Sequence, residues 1–161
     1  MSNHPDILRI QEMELDSNHP PFLLNLCFKP YMSLANTTSS TMGGLMTLWK
    51  NSKFDLISSL ATHHSIIVIF RLIGTNETIC ITNIYAPHKV TDRIKMLQTL
   101  SNLLDPLHHP LKIITGDFNM ITNLSKKKGG IRKLDKDFEV FLATIENLNL
   151  INIPTSKGLF T

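Results

Sequence analysis

Apolar and polar residues follow one another in a pattern that predicts a chain built mainly of strands. Short apolar runs, bounded by polar residues or proline, predict strands over residues 7–12, 45–49, 54–58, 65–73, 79–87 and 111–115. A last strand is predicted over 148–153. The turn residues Gly74 to Glu77 separate two of these runs, so residues 65–73 and 79–87 are predicted to form a hairpin.

Two longer stretches repeat apolar residues at the spacing of a helix. Apolar positions from Ile94 to Leu104 predict a helix over 92–104, which Pro106 ends. A second helix is predicted over about residues 135–147. Many strands joined by hairpins, with few helices, predict an α+β layered fold.

Composition and charge narrow the class of protein. The 161 residues are 42% hydrophobic, which suits one globular domain, and the net charge of +3 is compatible with a nucleic-acid partner. The N-terminal residues show no secretory signal pattern, and no apolar run approaches the roughly 20 residues of a membrane span. We therefore expect an intracellular protein that is not secreted and does not bind a membrane.

The tetrapeptide Gly116-Asp117-Phe118-Asn119 carries the strongest chemical signal. If the chain stays extended, Asp117 and Asn119 share one face of the strand while Phe118 enters the core. A carboxylate can take a proton from water, and an amide can orient that water, which suits phosphoryl chemistry. The same residues also favour a turn, and the sequence leaves both interpretations open.

Two other predicted strands also end in polar residues. Glu12 follows Gln11 at the end of the first run, while Asn83 and Tyr85 share a face of the run that Pro87 stops. Taken singly, Glu12 is better explained as a solvated strand end and Tyr85 as a half-buried core residue.

Together, and in this order, these motifs resemble those of the endonuclease/exonuclease/phosphatase superfamily. Within it, the chain is most similar to the endonuclease domain of LINE-type (non-LTR) retrotransposons. The resemblance implies a two-layer β-sandwich flanked by helices, with the site at one end of the sheets. The matching segments are residues 5–12, 43–45, 83–87, 116–119 and the stretch from 136–138 to 158–161.

The resemblance implies a role for each of four residues. Glu12 matches the glutamate that binds the metal, and Tyr85 the tyrosine that contacts the scissile phosphate. Asp117 matches the aspartate that activates the attacking water, and Asn119 the asparagine that helps to position it. These side chains should then converge at one end of the sheets. The implied cofactor is Mg²⁺, with Mn²⁺ as an alternative, and the implied partner is DNA.

Two positions and both ends depart from the family pattern. His88 stands where an asparagine usually follows the proline, and Ser125 stands where many retrotransposon relatives are acidic. The chain shows no counterpart of the first strand, with its metal-site asparagine, or of the closing Ser-Asp-His motif. The resemblance therefore predicts a single partial domain over residues 1–161, incomplete at its first strand and C-terminal strands, which does not nick DNA efficiently by itself.

The densest positive charge in the chain follows the Gly116 motif. The glycines within this tract let the backbone adapt, so the tract is predicted to contact the DNA backbone. A solvated loop is the alternative interpretation, and a nuclear location is expected if the protein functions. The basic residues are Lys126, Lys127, Lys128, Arg132 and Lys133.

The function predicted from the resemblance is metal-dependent hydrolysis of a DNA phosphodiester by a nicking endonuclease, impaired or lost in this chain. One alternative is a phosphatase of the same superfamily that acts on phosphoinositides or other phosphoesters. Another is a non-catalytic remnant that binds nucleic acid. We expect a monomer, or a segment of a larger polyprotein with reverse transcriptase.

Overall fold

The computed structural model of the chain describes residues 4–13, 31–36, 44–107, 111–120 and 137–153. These residues belong to two compact units. The sheet unit is built from Met1–Tyr85 and His109–Gly116, and the helical unit from Ala86–His108 and Asp117–Thr161. Each unit is described by itself.

Among the described residues, seven strands form two sheets. The first sheet has the order β1-β3-β2 and the second the order β4-β5-β6-β7. All the pairs β1–β3, β2–β3, β4–β5 and β5–β6 are antiparallel. The strands are β1 (Ile7–Met13), β2 (Tyr31–Asn36), β3 (Gly44–Lys50), β4 (Phe54–Ala61), β5 (Ser65–Leu72), β6 (Thr78–Tyr85) and β7 (Leu111–Asp117, whose last residue lies in the helical unit).

The core of the sheet unit lies between the two sheets. Trp49 of β3 packs on Phe70 of β5 with ring centroids 5.1 Å apart, and Phe54 packs on Phe70 at 5.2 Å. Phe70 is fully buried, and apolar side chains of β3, β5 and β6 complete the same cluster. Burial of this apolar surface is the main force that holds the sheets face to face.

The hairpin predicted around Gly74 is confirmed. Ser65 pairs with Ile84 and Arg71 with Thr78, so β5 and β6 align over nearly their full lengths. Gly74 has a φ of 87°, a left-handed conformation that glycine adopts at little cost.

The helical unit contains α1 (Val90–Leu104) and α2 (Phe138–Asn147), which confirms both predicted helices within the described residues. Leu97, Leu100 and Leu104 form the buried face of α1, as the helical spacing predicts. The α+β class and the two-sheet architecture are therefore confirmed.

One predicted strand is wrong, and one observed strand was not predicted. The stretch 148–153 forms no strand: the N–H of Leu150 donates to the Ile145 carbonyl at 2.9 Å, and Asn149 takes a φ of 52°. This left-handed residue ends α2, as is common at helix C-termini. Strand β2, which pairs with β3 from Tyr31 to Asn36, had no predicted counterpart.

Candidate functional site

Glu12 lies in a β-bulge. Ile10 pairs with Met46 and Met13 with Gly44, so Gln11 and Glu12 together oppose the single residue between those partners. Glu12 has a φ of 54°, which is uncommon for a residue with a side chain. The bulge leaves the Glu12 carboxylate exposed and Gln11 half-buried, so two consecutive residues point into different environments.

The Gln11 side chain connects the first sheet to the second. Its Nε2 donates to Asn83 Oδ1 at 3.1 Å and to the Ile84 carbonyl oxygen at 2.7 Å. Asn83 Nδ2 donates to the carbonyl oxygens of Ile10 at 3.3 Å and Met46 at 3.1 Å. Because Asn83 is only 1% exposed, these bonds satisfy an amide whose burial would otherwise be costly. The network fixes the ends of β1 and β6 relative to each other.

Gly116 of β7 fits against the same network. A Cβ atom at this position would lie 1.9 Å from the Ile84 carbonyl oxygen and 2.6 Å from Gln11 Nε2. Gly116 also has a φ of 144°, which side chains rarely permit. The glycine that precedes Asp117 is therefore required by the close approach of β7 to Ile84 and Gln11.

Sequence reasoning placed Gln11 and Asn83 at strand ends but not in the site. Within the sheet unit their hydrogen bonds join the ends of β1 and β6, the strands that carry Glu12 and Tyr85. Their signal in the sequence was position alone: Gln11 comes directly before Glu12, and Asn83 shares a strand face with Tyr85.

Tyr85 ends β6 in a half-buried position. Its ring packs against the core cluster between the sheets, and its N–H donates to the His64 carbonyl at 3.0 Å. Tyr85 is thus half-buried against the core, as one of the two interpretations of its sequence position predicted. Its contact with a scissile phosphate stays a prediction.

Asp117 and Asn119 lie together in a turn of the helical unit. Of the two interpretations that the sequence left open, the structure shows the turn, because β7 ends at Asp117 and Asn119 takes a φ of 50°. Asp117 Oδ1 accepts a hydrogen bond from the Asn119 N–H at 2.8 Å, a local bond that competes with strand formation. The turn still holds the carboxylate and the amide two residues apart and close in space.

Ala86, the first residue of the helical unit, is hydrogen-bonded to this turn. The Ala86 N–H donates to the Asp117 carbonyl at 2.8 Å, and Asn119 Nδ2 donates to the Ala86 carbonyl at 2.6 Å. A carbonyl can only accept, so the amide nitrogen of Asn119 must face Ala86 and its Oδ1 faces elsewhere. Oδ1 is then the atom that can accept a hydrogen bond from a water.

Phe118, between Asp117 and Asn119, anchors the turn by packing against α2. Its ring lies 5.1 Å from the ring of Phe141 in α2, measured between centroids, with 38° between the planes. Phe118 is half-buried rather than fully buried as predicted. Offset aromatic contact of this kind contributes about 0.5–1.5 kcal/mol beyond the area it buries.

The side-chain oxygens of the candidate site could supply only part of the ligands that a hard divalent cation needs. Mg²⁺ retains several waters and needs one or two carboxylates, so the exposed Glu12 carboxylate suits one position in its shell. Among the described residues, no three His, Cys, Asp or Glu side chains group as a metal site. The predicted DNA-contacting residues Lys126, Lys127, Lys128, Arg132 and Lys133 lie outside the described residues.

The sheet unit of this α+β chain consists of two sheets, with polar residues at the ends of β1 and β6. Residues 2–132 match the Endonuclease/Exonuclease/phosphatase family, and the chain belongs to that family. Members of this family generally depend on divalent metal ions. No curated protein matches the chain significantly.

Solved structures with the same fold are distant in sequence. The human Nocturnin catalytic domain with bound sulfate is 22% identical, with a TM-score of 0.53, over 71% of this chain and 52% of its own. ANGEL2, a 2′,3′-cyclic phosphatase, is 16% identical with a TM-score of 0.54, over 72% of this chain and 40% of its own.

A further similar structure is an endonuclease/exonuclease/phosphatase family protein from Bacteroides thetaiotaomicron. It is 15% identical with a TM-score of 0.59, over 86% of this chain and 53% of its own. The chain therefore spans about half or less of the length of these structures, and the likeness concerns the fold. No helix among the described residues has the length and apolar character that crossing a membrane requires.

Proposed function

We propose that this chain derives from, or forms part of, a nicking endonuclease of the LINE retrotransposon type, which hydrolyses one DNA phosphodiester with a divalent metal ion. The observation that supports it best is the Asp117–Asn119 turn, which pairs an exposed carboxylate with an amide oxygen available to a water. The sequence Asn83-Ile84-Tyr85-Ala86-Pro87 and the helix α2 favour the retrotransposon branch of the family.

The proposed reaction is an in-line attack of water on phosphorus. Asp117 takes the proton from the water as the new P–O bond forms, and Asn119 Oδ1 orients that water. The bond from phosphorus to the 3′ oxygen breaks, which leaves a 5′ phosphate and, after protonation by solvent, a 3′ hydroxyl. In a retrotransposon this hydroxyl would prime reverse transcription.

Glu12 and Tyr85 complete the proposal. Glu12 would hold the metal ion, and the Tyr85 hydroxyl would contact a phosphate oxygen. The bound ion would supply positive charge to the phosphate and the leaving oxygen.

A plasmid nicking assay under single-turnover conditions tests this function. The chain is held in excess over supercoiled DNA with Mg²⁺ or Mn²⁺, so that slow cleavage is still counted. Nicking by the chain alone should be slow at best, and its product should be relaxed circles whose 3′ ends are extended by a DNA polymerase. Asp117→Asn should lower the rate by about 10²–10⁴-fold, the range typical of a lost general base. Asp55→Asn removes an equally exposed carboxylate from β4 and is the matched control.

Two results would favour the alternatives. Release of phosphate from a phosphoinositide or another phosphomonoester, without nicking, would favour a phosphatase. DNA binding without any cleavage, equal in the wild-type chain and Glu12→Gln, would favour a non-catalytic remnant. Nicking that Asp117→Asn leaves unchanged would contradict the proposed mechanism.

A further inference from the structure

A buried ion pair joins the two helices of the helical unit. Arg93, in the first turn of α1, donates from Nε to Asp137 Oδ2. The side chains of Arg93 and Asp137 are 6% and 1% exposed. The same guanidinium donates from Nη1 to the His88 carbonyl oxygen at 2.5 Å. One arginine thus ties the segment before α1 to the residue before α2.

Stability alone explains this pair poorly. Buried ion pairs often add no more than apolar residues of similar volume, because both charges lose their hydration. Asp137 Oδ1 is buried with no hydrogen-bond partner among the described residues, which adds to that cost. Asp137 also occupies the N-cap position of α2 without making a side-chain cap bond, so its carboxylate is committed to Arg93.

Arg93 binds the segment Ala86–His88, and this segment is hydrogen-bonded to the candidate catalytic turn formed by Asp117 and Asn119. His88 lies two residues beyond Ala86, whose N–H and carbonyl bond to Asp117 and Asn119. Pro87 lies between them, fixes its own φ and restricts the backbone of Ala86. A displacement of His88 is therefore transmitted to Ala86 instead of being absorbed by free rotation.

We propose that Arg93 and Asp137 are positioning residues, which hold Ala86–His88 in place and thereby align Asp117 and Asn119 for attack on the phosphate. The alignment part of this inference rests on the proposed function. The mechanical part concerns only the helical unit and can be tested separately. Arginine is required because its fork reaches two acceptors, whereas a lysine ammonium is a single point charge.

The test uses three variants of the full chain. Arg93→Lys keeps the charge opposite Asp137 but loses the fork. Arg93→Met with Asp137→Leu removes both charges and fills the space with apolar side chains, so folding should survive. Lys95→Met removes a charge from the exposed side of α1 and is the matched control.

Hydrogen exchange measured by NMR is the first readout. In Arg93→Lys and in the double variant, we expect the Ala86 and Asn119 amides to exchange about 10–100 times faster, the loss expected for a charge-assisted hydrogen bond. Amides in the middle of α1 and α2 should keep their wild-type rates. Equal acceleration throughout the helical unit would show a merely structural role and overturn the proposal, as would unchanged rates at Ala86 and Asn119.

Single-turnover nicking is the second readout. We expect the maximal rate to fall about 10–100-fold in both Arg93 variants, since a misplacement near 1 Å can cost about 10²-fold. The protein concentration for half-maximal rate should change by less than about threefold. If the wild-type chain does not nick at all, the exchange rates decide whether the pair holds the turn. Wild-type nicking by the double variant would refute the positioning role.

Discussion

Gly116→Ala should destabilise the sheet unit far more than the addition of one methyl group suggests. The new Cβ would lie 1.9 Å from the Ile84 carbonyl oxygen, 2.7 Å from the Ile84 carbonyl carbon and 2.6 Å from Gln11 Nε2. The first two atoms belong to the backbone of β6, so the clash cannot be relieved by a rotamer change. Either β7 moves away from β6, or the Gln11–Asn83 network breaks.

Two contributions set the size of the effect. Overpacking that forces a backbone shift costs about 1–3 kcal/mol, and occasionally more. A residue held in a disfavoured region of φ and ψ costs about 1–3 kcal/mol, and Gly116 has a φ of 144°. The sum is roughly 2–6 kcal/mol, a large part of the 5–15 kcal/mol typical of a domain of this size.

Gly74→Ala is the matched control. Gly74 also has a positive φ, 87°, but a Cβ there would meet nothing within 4 Å. Its substitution should cost only the backbone term, about 1–3 kcal/mol. The difference between the two variants therefore measures the clash with Ile84 and Gln11.

Urea unfolding followed by circular dichroism gives the free energy of unfolding for each variant. The slopes with urea should agree, so that the difference reflects native-state stability. We expect Gly116→Ala to be less stable than Gly74→Ala by at least about 1 kcal/mol. Equal stability within about 0.5 kcal/mol would show that β7 does not approach β6 as described, and would refute the argument.

Three further predictions use the same chain. Asn83→Ala should lower the free energy of unfolding by at least about 2 kcal/mol, because the carbonyls of Ile10 and Met46 lose their buried donor. Urea unfolding measures this loss, and a loss below about 1 kcal/mol would contradict the prediction. Burial raises the pKa of the Cys80 thiol above its ordinary 9.0, so the unfolded chain releases that proton first and stability should fall as pH rises past 9.0. Urea midpoints between pH 8 and 10 should show a shallower decline in Cys80→Ala, and an unchanged decline would exclude the thiol as its cause. Changing Lys126–Lys128 to alanine should flatten the dependence of log affinity for duplex DNA on log salt by up to roughly 2–3 units, and an unchanged slope would favour a solvated loop.

Much of the fold was predictable because its determinants are local. The apolar run of β5 and the turn at Gly74 predict a hairpin within about twenty residues of chain, and the structure confirms it. The apolar spacing of α1 also requires no knowledge of distant residues. Motif order along the chain was sufficient to identify the family, which the match over residues 2–132 confirms.

Local pattern failed where hydrogen bonds within a turn outweighed alternation. Asn119 follows Asp117 at strand spacing, yet the bond from its N–H to the Asp117 carboxylate turns the chain. Leu148 and Leu150 alternate as in a strand, yet the N–H of Leu150 bonds back into α2 through a left-handed Asn149. In both places one short-range bond decided between two conformations that the residue types allow.

The sequence by itself determined the family, both helices and most of the described strands, and it predicted which residues carry chemistry. Only the tertiary structure decided how those residues are held. The bulge that separates Gln11 from Glu12 depends on pairing with β3, and the need for glycine at position 116 depends on Ile84 of another strand. The pairing of Arg93 with Asp137 joins residues 44 positions apart. Each of these contacts depends on backbone geometry between distant segments, and residue type and spacing do not encode that geometry.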